Sequence, residues 1–105
     1  MMNNKLYKKY IPMTETAYYI LLALKKQRHG YGVLGHVEKI THGRIRLGAG
    51  TIYGTLSKML KDGVIKVVSE HDRRKTYIVT DIGSEILSIE LKRLEMLVKN
   101  GREEA

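Results

Sequence analysis

The chain of 105 residues has no cysteine, no tryptophan, no phenylalanine and a single proline. Without cysteine it can form neither a disulfide framework nor a thiolate metal site. Without tryptophan or phenylalanine, every aromatic contact falls to its 7 tyrosines. No apolar run approaches the ~20 residues that cross a bilayer as a helix, so no membrane segment is expected. The first ten residues, MMNNKLYKKY, carry lysines but lack the apolar centre of a secretory signal. The expected location is the cytoplasm. Acidic residues are scarce over most of the chain. Residues 1–82 hold fifteen Lys and Arg against six Asp and Glu, whereas residues 83–105 hold four against five.

That uneven balance directs the functional reading. A net charge of +8 concentrated in one part, beside a nearly neutral end, suggests that one half meets nucleic acid and the other meets protein. The length suits one domain with a modest core, and small domains of this kind often bury further surface by dimerising. No internal repeat or low-complexity tract is present.

The apolar spacing predicts four helices and a hairpin. Pro12 and Thr14 mark a helix start, with Thr14 as N-cap. Ala17, Ile20, Leu21 and Leu24 follow at helical spacing, and Gly30 reads as the stop. A second helix is expected over about Tyr31 to Thr41, with Val33, Leu34, Val37 and Ile40 inward and Gly43 at C′. Arg44 to Leu47 is too short for a helix and reads as a small strand. The third helix opens near Gly50 or Thr51 and stops at Asp62-Gly63. Its core stripe is Ile52, Leu56, Met59 and Leu60. Ile65 to Glu70 and Thr76 to Thr80 read as strands joined by a loop, His71 to Lys75. Asp81 starts a last helix that runs to about Asn100, with Gly101 after it.

The third helix and the hairpin carry the chemistry. A helix that reads bases is short, anchored by an apolar stripe and lined outwardly with small polar or basic side chains. Thr51, Tyr53, Thr55 and Lys58 meet that description, and the small residues Gly48, Ala49, Gly50 and Gly54 allow close approach to a phosphate. Taken alone, such a face is more often the solvated side of an ordinary helix. The hairpin shifts the balance. Arg73, Arg74 and Lys75 are three successive cations at its tip, an unfavourable grouping without an anionic partner.

The run Gly43–Tyr77, GRIRLGAGTIYGTLSKMLKDGVIKVVSEHDRRKTY, resembles the core of the PadR family of bacterial transcriptional regulators. The resemblance lies in the segments GAGTIYGTLSKMLKDGVI and DRRKTYIVTDIG and extends over roughly Ile11 to Asn100. It implies an α+β, mostly helical fold: a winged helix-turn-helix with a C-terminal dimerisation helix. It also implies a homodimer that binds double-stranded DNA, usually as a repressor on a palindromic operator. The likeness is to the short branch of the family, with a single C-terminal helix. The corresponding organisation is a basic N-terminal arm (1–10), a winged-helix domain (11–80) and a dimerisation helix with tail (81–105). Lys5, Lys8 and Lys9 of the arm are candidates for touching DNA backbone, against the default of a solvated tail.

The last helix supports the dimer independently. Leu87, Leu91, Leu94 and Val98 fall at i, i+4, i+7 and i+11, a heptad-like seam, and Ile82, Ile86, Ile89 and Leu97 widen it. The alternative is a single stripe packed on its own body. The resemblance implies that this helix packs on the partner's first helix, which sets two recognition helices about one turn of DNA apart.

Several other features lead nowhere. Gly48-Ala49-Gly50 is followed by neither a third glycine nor GK[ST], so it is not a nucleotide loop. His29, His36, His42 and His71 lack metal-ligand spacing, and no cofactor is expected. No catalytic arrangement emerges, and an enzyme is not expected. Tyr18 and Tyr19 are candidates for a small-molecule effector pocket at the dimer interface, or for plain packing. Some short family members stack flat aromatic ligands between tryptophans, a mode this chain lacks. Two rival functions remain: a winged helix used for protein–protein interaction with its basic wing merely solvated, and RNA binding, for which Tyr77 is the single stacking aromatic on the strands.

Overall fold

The computed structural model describes residues 4–105, with five helices and a three-stranded antiparallel sheet. The helices are α1 (Asn4–Tyr10), α2 (Glu15–Ala23), α3 (Gly30–Ile40), α4 (Ala49–Asp62) and α5 (Asp81–Glu104). The strands are β1 (Arg28–His29), β2 (Ile65–His71) and β3 (Arg74–Val79), in sheet order β1-β3-β2.

Local chemistry sets most boundaries. Thr14 caps α2 through its hydroxyl, which accepts the Ala17 N–H, and Thr80 caps α5 by accepting from Gly83. At the end of α3 the amide of Gly43 reaches Glu38 O at 2.8 Å and that of His42 reaches Lys39 O at 3.1 Å. This is a Schellman closure in which His42 (φ 52), one residue before the glycine the sequence nominates, takes the left-handed C′ place. Buried Thr41 braces the turn, donating to Val37 O and accepting from Ile45 N. Gly63, at φ 77, ends α4. Asp72 and Arg73 form the two-residue turn of the wing, both with positive φ, as a tight hairpin requires.

The core joins Ile20, Leu21 and Leu24 of α2 and its C-cap, Val33 and Val37 of α3, Ile52, Leu56 and Met59 of α4, and Ile86 and Leu87 of α5. Val64, Ile65 and Tyr77 close it from the sheet side. Within α3 and α4 these residues recur at i, i+4 or i+7, the stripe that removes apolar surface from water. Helices α3 and α4, the hairpin β2–β3 behind them and α5 beyond make a winged helix-turn-helix, the fold class the sequence predicts.

Five details differ from the sequence reading. The third strand lies at Arg28–His29, not at Arg44–Leu47, which has no regular structure. Gly30 opens α3 instead of ending α2. Helix α5 passes through Gly101 to Glu104. Of the loop expected over His71 to Lys75, His71 belongs to β2 and Arg74 and Lys75 to β3. The expected basic arm, residues 1–10, is the fifth. Its first three residues lie outside the described residues, and the rest is α1, with Leu6 and Tyr10 buried. Lys9 Nζ and the Tyr10 hydroxyl each donate to the Asp62 carboxylate at 2.7 Å, tying α1 to the last turn of α4.

Candidate nucleic-acid interface

The apolar stripe of α4 fixes which side of that helix faces out. With Ile52, Leu56 and Met59 buried, Thr51, Tyr53 and Lys58 are exposed and Thr55 is half-buried. Lys58 makes no ion pair among the described residues, although the Asp62 carboxylate one turn away attracts it. Gly50 and Gly54 leave open space beside the same helix. The four sequence candidates share one helix but not one edge of it: Thr51, Thr55 and Lys58 follow one side of the exposed arc, and Tyr53, with Ser57, follows the other.

The wing brings its cations to the Tyr53 edge of α4. Arg73, Arg74 and Lys75 are exposed and form no ion pair among the described residues. Arg74 stands across from His71, and Lys75 across from Glu70. Between wing and helices runs a groove of about 330 Å³. Tyr53 and Ser57 of α4 line it, as do His29, Gly30 and Tyr31 at the start of α3 and the three wing cations. Tyr31 and Tyr53 meet edge to face, ring centroids 6.1 Å apart. Neither hydroxyl makes a hydrogen bond within the described residues, so both remain free as donors. The Tyr53 ring covers Gly30 so closely that any β-carbon there would meet it at 2.8 Å.

Sequence reasoning missed His29 and Tyr31. The available signal was Tyr31's position off the Val33–Val37 stripe, which exposes it (60 %) at the first turn of α3. Tyr77, the one stacking candidate for RNA, is buried in the core, and its phenol is pushed up by burial. That removes the observation behind the RNA reading.

The other sequence candidates lie on a different face. Tyr18 and Tyr19 meet edge to face at 5.9 Å and line a cavity of about 290 Å³ with Met13, Glu15, Glu90 and Leu94. Burial, then the neighbouring Tyr19 and Glu90, push the Tyr18 phenol up. Of the seam residues, Leu87 is buried in its own chain's core and Leu94 is half-buried. Leu91 (48 %) and Val98 (53 %) are exposed, together with Met96 and Leu97.

Comparison with known proteins agrees with the fold. The structure is similar to a PadR family transcription regulator from Clostridium difficile R20291, at TM-score 0.70 and 23% identity, covering 86% of this chain and 97% of that one. It is similar to a PadR-like transcriptional regulator from Bacillus cereus at TM-score 0.68 and 22% identity, covering 84% and 88%. Bacillus subtilis PadR, in complex with operator DNA, matches at TM-score 0.62 and 24% identity, covering 74% of this chain and 48% of that one. No curated protein sequence matches the chain. The family model of the transcriptional regulator PadR-like family matches residues 20–89, from the core of α2 to the middle of α5, and the chain belongs to that family.

Proposed function

We propose that this chain is a DNA-binding transcriptional regulator that acts as a homodimer, most simply a repressor on a palindromic operator in the cytoplasm. One observation carries the reading: Tyr53 and Ser57 on the outer side of α4 and the three wing cations, which form no ion pair among the described residues, line one groove. In this reading Thr51, Tyr53, Thr55 and Lys58 enter the major groove, and Arg73, Arg74 and Lys75 hold the flanking backbone. The DNA-bound relative of the same fold supports it.

The dimer rests on α5. All its buried residues lie between Gly83 and Glu90, and Met96, Leu97 and Val98 are more than half exposed in the single chain. Such an apolar end is stabilised by covering it, and a second copy supplies a matching surface. The Tyr18–Tyr19 cavity, beside Leu94, then borders the dimer seam and is the place for an effector.

The test is binding of labelled duplexes, random and enriched by selection, over a salt series. Tight binding to selected sites that weakens steeply with salt is expected. Indifference to every duplex at low salt would leave the wing merely solvated and favour a protein partner.

A further inference from the structure

His29 is placed in the groove with one ring nitrogen already committed. Its Nδ1 lies 3.2 Å from the Lys75 carbonyl oxygen and 3.4 Å from Thr76 Oγ1. A carbonyl oxygen only accepts, so Nδ1 carries a hydrogen and the second ring nitrogen, Nε2, is left for the groove. In the neutral ring that nitrogen is an acceptor, which repels a phosphate oxygen. In the imidazolium it is a donor.

The surroundings decide which form is favoured. Arg73, Arg74 and Lys75 line the same groove and leave it positively charged while it is empty. Tyr31 from α3, Tyr53 from α4 and Tyr77 from β3 also line it, and phenols are uncharged at neutral pH. A phosphate reverses the field, since it brings negative charge beside the ring and offers Nε2 an acceptor. At about 330 Å³ the groove far exceeds the ~30 Å³ share of one water, and it has room for that group.

We propose that the groove seats one backbone phosphate of the bound duplex and that His29 holds it as the imidazolium, so that each chain takes up a proton on binding. This rests on the DNA-binding reading above. Binding is then coupled to proton uptake at the ring, so duplex affinity is greater on the acid side of neutrality than on the alkaline side.

Two measurements test it. The His29 ring resonances are titrated by NMR in the unmutated protein, alone, with a short duplex and with inorganic phosphate. Duplex affinity is measured at about pH 6 and about pH 8, spanning the ordinary histidine range, for the unmutated chain, His29→Gln and His71→Gln. The expected result is an upward shift of the His29 titration with duplex, and a pH dependence several-fold smaller in His29→Gln but retained in His71→Gln. Glutamine keeps an N–H for the Lys75 carbonyl, which protects the fold. An unmoved His29 titration in a formed complex overturns the proposal and leaves the DNA reading standing. So does a shift with inorganic phosphate and none with duplex, which makes the groove a free-anion site. Absence of any duplex binding overturns both.

Discussion

Gly83 lies directly against the backbone carbonyl of Val64, with no room between them for a β-carbon. The first turn of α5 meets the entry to β2 at this point, where Thr80 N–H donates to the same carbonyl at 3.0 Å. The Thr80 hydroxyl also donates to Gly63 O at 2.7 Å. A methyl group here would push backbone against backbone. Gly83→Ala should therefore cost ~2–3 kcal/mol despite its better helix propensity. Gly54, inside α4 with open space beside it, is the control. Gly54→Ala should stabilise by up to ~1 kcal/mol. Denaturant melts of the two variants check both signs.

Acid should loosen the joint between α5 and the segment before α2. Glu90 is buried, and its carboxylate accepts from Arg93 at 2.7 and 2.8 Å and from the Met13 N–H at 3.0 Å. The Arg93 guanidinium holds this carboxyl below the ordinary range, against burial, which pushes it up. A carboxyl depressed in the folded state stabilises above its unfolded pKa of about 4.3, and that contribution is lost as pH falls through the folded value. Glu90→Gln should cost roughly 1.5–3 kcal/mol at neutral pH and flatten the acid limb of a stability-versus-pH curve. An acid limb as steep as that of the unmutated chain would assign the effect elsewhere, first to Asp62, whose carboxyl Lys9 and Tyr10 hold down against burial.

Leu91 and Val98 test assembly without touching the core, because both are about half exposed. Leu91→Asp combined with Val98→Asp should leave the chain folded but monomeric, read by circular dichroism and light scattering. A monomer for the unmutated chain at micromolar concentration would sink the dimer.

Particular residues show how far the sequence reached. The Ile52–Leu56–Met59 stripe is strong enough that α4 and its outer face are readable without coordinates, and the β-branched runs mark the wing. Helix α1 is not readable, since seven residues offer only Leu6 and Tyr10 as a pattern. It is anchored by Asp62, more than fifty positions away. Two-residue β1 has no periodicity, and its place is set by its partners Thr76 and Tyr77. Gly101 reads as a stop, yet an exposed glycine costs a helix only ~1 kcal/mol, and the charged residues after it are good helix formers. The groove escapes sequence reasoning because His29 and Tyr31 face the wing only once the chain has folded back.

Lys58 is exposed on α4, as is Lys61 in the last turn of the same helix. If it donates to a guanine edge, Lys58→Ala should cost ~1–3 kcal/mol on a selected site and much less on random duplex. Equal losses on both would make it a phosphate contact.

Arg73 separates stability from binding. It sits in the left-handed region at φ 66, where a side chain costs ~1–2 kcal/mol that glycine avoids. Its guanidinium is unpaired within the described residues and lines the groove. Arg73→Gly should therefore raise the melting temperature, whereas Arg73→Ala, still left-handed, should not. Both should weaken binding equally on specific and random duplexes, because a backbone contact carries no sequence information. Each should also lower the salt slope by about 0.9 for every phosphate that is no longer neutralised. Paired melts and salt titrations decide the matter. A glycine variant that is more stable yet keeps the full salt slope would show that the strained turn shapes the hairpin and that Arg73 does not reach the DNA.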